Sequence, residues 1–149
     1  MLRNGDRAGE YFRIINPIEH ARTKENVLRY KVEPYVVAAD VYASSNMLGR
    51  GGWTWYTGSS SWLYISGLEY ILGINRKGNI LKINPCIPHS WKYIKVEYKY
   101  FETLYKIDVK NPNTKSNGFT SICLDNNFIQ TNEIELVNDG KEHVIEIVL

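Results

Sequence analysis

Hydrophobic positions change their spacing near residue 75: helical periodicity precedes that point and strict alternation follows it. Asp6 to Ile15 predicts a short amphipathic helix, with Tyr11, Phe12, Ile14 and Ile15 opposite Asp6, Arg7, Glu10 and Arg13. It ends at Asn16-Pro17, because proline pushes the preceding residue out of the α region. Thr23 is placed to cap a second helix, Lys24 to Tyr30. Pro34 suits the first turn of a third, Tyr35 to Ala43. Val36, Val37, Ala39, Val41 and Tyr42 make that segment apolar nearly all round, which predicts a buried helix. Ser44 to Gly58 reads as a loop rich in glycine and aromatics. Ser59 is expected to cap a last helix, Ser60 to Leu72, stopped by Gly73.

Beyond residue 79 the pattern is that of half-buried strands. Ile94, Val96, Tyr98 and Tyr100 alternate with Lys95, Glu97 and Lys99, and Tyr105, Ile107 and Val109 with Lys106, Asp108 and Lys110. Asp125-Asn126-Asn127 predicts a hairpin turn between Phe119–Leu124 and Phe128–Thr131. Asn138-Asp139-Gly140 predicts another between Ile134–Val137 and His143–Leu149. The expected class is α+β, helices first and an antiparallel sheet or sandwich after them.

Composition narrows the function classes. Eighteen Lys and Arg against sixteen Asp and Glu leave a formal charge of +2, which argues against nucleic acid or an anionic membrane surface as partner. No apolar run approaches the roughly 20 residues of a spanning helix, and residues 1–6 do not form a signal peptide, so a soluble, cytoplasmic protein is expected. Cys86 and Cys123 lie in no metal spacing and read as reduced core residues. His20, His89 and His143 share no metal pattern. All four Trp fall between residues 53 and 91, where they serve either as core or as faces for sugar rings.

Three carboxylates merit weighing. Glu33 stands at a predicted helix start, where dipole complementation is the commoner use of an acid. Asp40 lies in an apolar segment and calls for either an ion-pair partner or a functional role. Glu69 reads as a surface residue. Thr57-Gly58-Ser59-Ser60 precedes a helix and offers backbone N–H groups and hydroxyls to an anion, although plain N-capping explains the same pattern. No lysine follows in the manner of a nucleotide-binding loop.

Tyr30-Lys31-Val32-Glu33-Pro34-Tyr35-Val36-Val37-Ala38-Ala39-Asp40-Val41-Tyr42 and Gly49-Arg50-Gly51-Gly52-Trp53-Thr54-Trp55-Tyr56-Thr57-Gly58-Ser59 together resemble the end of the phosphorylase domain of glycoside hydrolase family 94. Asn84-Pro85-Cys86-Ile87-Pro88 with Trp91 resembles that family's entry into its carboxy-terminal β unit, and Asn138 to His143 resembles the unit's final hairpin. The glycine–tryptophan run is most similar to the cyclic β-1,2-glucan synthase branch.

The resemblance implies that residues 1–76 are the last part of an (α/α)6 barrel and residues 77–149 a small antiparallel β-sandwich. It implies phosphorolysis: inorganic phosphate, a co-substrate with no further cofactor, attacks the anomeric carbon of a β-glucan or β-linked oligosaccharide, with inversion. Lys31 and Glu33 resemble sugar-contacting residues, Trp53 and Trp55 shape the pocket, and Thr57 and Gly58 resemble the phosphate-contacting pair. The family's general-acid Asp, and its phosphate-binding His and Arg, belong to a segment upstream of these motifs. A fragment holding part of the site, inactive alone, is therefore expected. Its partner would be the missing portion as a separate chain, or a second copy. The alternative is a non-catalytic carbohydrate-binding or assembly module.

Overall fold

A computed structural model describes residues 3–55 and 57–149. Met1, Leu2, Tyr56 and the Thr57 side chain lie outside the described residues. The chain forms two compact units, residues 1–9 with 68–149, and residues 10–67. The class is α+β. Among the described residues no helix is long and apolar enough to cross a membrane.

The first unit is built on two sheets. Five strands lie in the order β5 (Tyr93–Tyr100), β6 (Thr103–Lys110), β10 (Glu142–Val148), β7 (Ser121–Leu124) and β8 (Asn127–Ile129). Three more lie in the order β3 (Ile74–Lys77), β4 (Ile80–Ile83) and β9 (Glu133–Glu135). The period-two pattern decides which side chains are buried: Tyr105, Ile107 and Val109 on β6, Ile145 and Ile147 on β10, Ile122 on β7, and Leu81 and Ile83 on β4. Asp125 and Asn126 both take positive φ, 49° and 65°, as a two-residue type I′ hairpin requires.

The structure departs from the alternation-based reading in three places. β9 and β10 do not form a hairpin: β9 pairs with β4, and β10 enters the other sheet. A turn signal shows that the chain reverses, but not which strand receives it. β10 also runs parallel to β6, so the sheet is mixed. That register places Glu142 and Glu146 within 2.7 Å of Lys106 and Lys110. The β3–β4 hairpin around Gly78 (φ 62°) lies where helix was expected to give way to strand and was not foreseen.

Helix α1 (Gly5–Ile15) contributes its first turns to this unit. A Cβ on Gly5 would overlap the Ile87 backbone, and one on Gly9 the Pro88 ring, so close packing dictates both glycines. Asp6 accepts hydrogen bonds from the His89 backbone N–H at 2.8 Å and from its ring, which hold the carboxyl below its ordinary range.

The second unit contains the rest of α1, α2 (Pro17–His20), α3 (Lys24–Tyr30), β1 (Asp40–Val41), β2 (Gly51–Gly52) and α4 (Thr57–Ile65). Thr23 caps α3 through its side chain, as expected. The helix predicted over 35–43 does not exist. The Val36 N–H reaches only the Glu33 carbonyl (3.0 Å), which gives a β-turn with Pro34 at its favoured second position. Beyond it, Ala39 and Tyr42 donate to the carbonyls of Trp53 (3.2 Å) and Arg50 (2.9 Å). A short apolar run does not distinguish helix from buried strand by period alone, and the β-branched residues here favour the extended form. Its small core is Tyr30, Val32 and Val36, with Ala38 packed against them.

The last helix starts at Thr57, so Ser59 lies within it rather than capping it. Its continuation, Ser66–Ile71, is a π-helix. Gly73, with φ 73°, ends it where the sequence placed the stop.

Candidate sugar and phosphate site

The two signature segments meet in the second unit. Asp40 pairs with Gly52 and Val41 with Gly51, an antiparallel contact that lays residues 39–42 beside residues 50–53. Glycine is needed at both positions because the segments approach so closely. A Cβ on Gly51 would overlap Val32 and the Tyr30 ring, and a Cβ on Gly52 would overlap the Asp40 carboxylate and the Tyr42 ring.

Lys31 sits at the C-cap of α3 in the left-handed region (φ 53°), its N–H donating to the Val27 carbonyl at 2.9 Å. Glu33 is exposed and opens the turn that Pro34 bends. It therefore does not stand at a helix start, and the dipole-cap reading does not apply. Asp40 is likewise exposed rather than buried in a helix. Trp53 and Trp55 take φ of 50° and 63° and are 67% and 66% exposed. The Trp55 ring meets Tyr35 edge-on at 6.2 Å between centroids, which ties the Lys31–Tyr35 turn to the glycine–tryptophan run.

Lys31, Trp53 and Trp55 are non-glycine residues held in the left-handed region, as are Phe101, Thr114, Asp125 and Asn126 elsewhere in the chain. Such positions cost about 1–3 kcal/mol each and concentrate at ligand sites. The exposed indole rings offer apolar faces of the kind that stack on sugars.

Thr57 and Gly58 are the first two residues of α4, so their backbone N–H groups have no partner within the helix. A Cβ on Gly58 would meet nothing within 4 Å, and its φ is not positive. Among the described residues neither packing nor backbone geometry calls for glycine there.

Sequence reasoning gave no role to Tyr35, or to Tyr42 beside Gly52. Only the pairing of distant segments brings them to the site. His20 closes the short helix α2 and lines a shallow cavity of about 370 Å³. It stacks on Tyr30 at 4.5 Å. Burial pushes the Tyr30 hydroxyl upward, against the effect of an Ala38 backbone hydrogen bond. Among the described residues no group of His, Cys, Asp and Glu could hold a metal ion.

Residues 1–73 match the family described as the glycosyl hydrolase 94 superfamily, catalytic domain. The chain is 41% identical over 130 residues to the cyclic beta-(1,2)-glucan synthase NdvB of Rhizobium meliloti (strain 1021), covering 87% of this chain and 4% of that protein. It is 29% identical over 150 residues to the N,N'-diacetylchitobiose phosphorylase of Vibrio furnissii, covering 99% of this chain and 18% of that protein. Identity reaches 40% over 83 residues with the 3-O-beta-D-glucopyranosyl-beta-D-glucuronide phosphorylase of Paenibacillus borealis, or 56% of this chain and 11% of that protein. The chain therefore spans less than a fifth of the length of each of these relatives.

Proposed function

The chain belongs to the glycosyl hydrolase 94 superfamily, and from that membership we propose that it forms part of the sugar and phosphate site of an inverting β-glucoside phosphorylase or cyclic β-1,2-glucan synthase-type protein. In this reading residues 1–76 are the closing portion of an (α/α)6 barrel and residues 77–149 its carboxy-terminal β-sandwich. A β-linked glucan or oligosaccharide is the sugar substrate and inorganic phosphate the co-substrate.

The glycosidic C1–O bond breaks as a phosphate oxygen bonds to C1 from the opposite face. The departing sugar oxygen takes a proton from an Asp contributed by the remaining part of the domain. Phosphate occupies the place water has in an inverting hydrolase, so no second carboxylate is needed as base. Lys31 and Glu33 hold the donor sugar by hydrogen bonds, and Trp53 and Trp55 present apolar faces to it. The amides of Thr57 and Gly58, at the positive end of α4, hold the phosphate before and during attack.

The observation that carries this reading is the contact of Tyr35 with Trp55, beside the Asp40–Gly52 pairing. It brings the sugar-contacting turn and the phosphate-contacting run into one unit. The proton donor is assigned elsewhere on the family resemblance alone, because no residue of the two matched segments corresponds to the general-acid Asp.

The test is release of α-glucose 1-phosphate from β-1,2-linked glucose oligomers. The 149-residue chain is expected to show no turnover above background. Robust turnover by the purified chain would mean that its own carboxylates supply the proton.

A further inference from the structure

The unit containing residues 68–149 holds a cavity of about 740 Å³, within the range of roughly 300–1,000 Å³ typical of small-molecule sites. None of the residues assigned to sugar or phosphate above lines it. Its wall includes the π-helix Ser66–Ile71, which presents Glu69 and Tyr70. π-Helical turns are rare and concentrate at functional sites.

The polar groups here divide into two sets. Lys82 is paired with Glu133 at 2.7 Å, and the Arg3 guanidinium donates to the Asn84 side chain (2.7 Å) and the Pro85 carbonyl (3.1 Å). The second set is open. Glu69 accepts from the Asn75 amide at 3.0 Å through one oxygen. Among the described residues the other Glu69 oxygen, the Asn75 carbonyl oxygen, the Tyr70 hydroxyl and the Lys77 ammonium have no side-chain hydrogen-bond partner.

An ionic ligand is poorly matched to this arrangement. Arg3, Lys77 and Lys82 face Glu69 and Glu133, which leaves little net charge to recruit an anion. Closely spaced acceptors and donors, beside a half-exposed tyrosine ring over an apolar floor, instead suit vicinal hydroxyls and the C–H face of a pyranose. We infer that this cavity is a second carbohydrate subsite, taking a neutral gluco-oligosaccharide, with Glu69 and Asn75 bonding its hydroxyls and Tyr70 stacking on its ring. It uses none of the residues assigned to the catalytic reading, whereas its role in holding a glucan rests on that reading.

The test titrates the isotope-labelled 149-residue chain with cellobiose and, separately, with inorganic phosphate, following backbone amide shifts. Cellobiose is expected to shift amides of residues 66–84 saturably, with a Kd on the order of 1 mM, and phosphate is expected to leave them unmoved. Tyr70→Ala and Glu69→Ala should each weaken binding about tenfold, the loss expected of one hydrogen bond or ring contact. Lys77→Ala, on an exposed side chain, should weaken it several-fold without touching the fold. Phe128→Ala, an exposed side chain that does not line the cavity, should bind as wild type. Absence of a saturable shift, shifts confined outside residues 66–84, unchanged affinity in Lys77→Ala and Tyr70→Ala, or an equal response to phosphate would each overturn the assignment. Phosphate shifts at residues 57–60 with no cellobiose shift at 66–84 would sink this subsite while leaving the phosphate cradle standing.

Discussion

The Tyr35 and Trp55 rings meet edge to face at 6.2 Å, although twenty residues of chain separate them. Tyr35 follows the Pro34 turn and Trp55 lies in the glycine–tryptophan run, so this one contact registers two signature segments against each other. Trp55 achieves it from a left-handed backbone.

That backbone makes a sharp comparison possible. Trp55→Ala loses an edge-to-face pair worth about 0.5–1.5 kcal/mol and keeps the strained φ. Trp55→Gly loses the same pair but relieves the strain, which costs a β-carbon-bearing residue roughly 1–2 kcal/mol. Glycine's larger unfolded-state entropy offsets part of that gain. Urea unfolding should therefore find the Gly variant at least as stable as the Ala variant. A clearly more stable Ala variant would show that residue 55 is not left-handed in solution.

Two glycines of the same run should respond in opposite directions. Gly52→Ala places a methyl group against the Asp40 carboxylate and the Tyr42 ring, and should cost on the order of 1–3 kcal/mol. Gly58→Ala enters open space near the start of a helix and should stabilise by a few tenths to about 1 kcal/mol. The same methyl group crowds the proposed phosphate cradle. Thermal unfolding with and without phosphate should show Gly58→Ala gaining basal stability while losing most of the phosphate-dependent increment.

Gly73 combines two demands. Its φ is 73°, and a Cβ there would strike the Asn84 carbonyl and the Pro85 nitrogen. Gly73→Ala should lose more than about 2 kcal/mol, beyond the common range for a single surface change. Circular dichroism melts of the two proteins would measure it.

His143 gives the first unit a pH dependence whose direction can be worked out. Its ring stacks on Tyr105, with Nδ1 2.6 Å from Asp125 and Nε2 3.3 Å from Asp139. The Asp125 hydrogen bond, aided by Asp139, raises the imidazole above its ordinary 6.5 despite opposing burial. A raised folded pKa stabilises fully below the unfolded value and is lost as pH rises through the folded one. Stability should therefore fall between about pH 6.5 and the raised folded value, and His143→Gln should flatten that slope.

The carboxylates act at the other end of the scale. Hydrogen bonds from Lys141, with smaller contributions from His143 and Thr103, hold Asp139 at about 2 against partial burial. At Asp125 burial pushes upward, but the His143 and Val144 hydrogen bonds prevail and lower it. Depressed carboxylates stabilise above their unfolded value and lose that effect as pH falls from 3.8 towards the folded one. Asp139→Asn should reduce acid sensitivity in that window, as acid titration of the melting temperature would show.

Local chemistry was legible wherever a short stretch decides its own conformation. The Thr23 cap, the stop at Gly73, the turn predicted at Asp125-Asn126-Asn127 and the alternation of β5 and β6 need only neighbouring residues; all are found, with the turn itself confined to Asp125 and Asn126. The glycine–tryptophan run announced its family by identity alone. Long-range pairing was not legible. The Val36–Val41 stretch satisfies helix and strand patterns equally, and only Gly51 and Gly52 lying alongside make it extended. Likewise Asn138–Gly140 signals a reversal without saying that β9 joins β4 and β10 lies parallel to β6. Backbone hydrogen bonds carry no residue-specific address, so partners far apart along the chain are chosen by the packing of the whole. For the same reason the cavity between Glu69, Asn75 and Lys82 has no signature in one dimension.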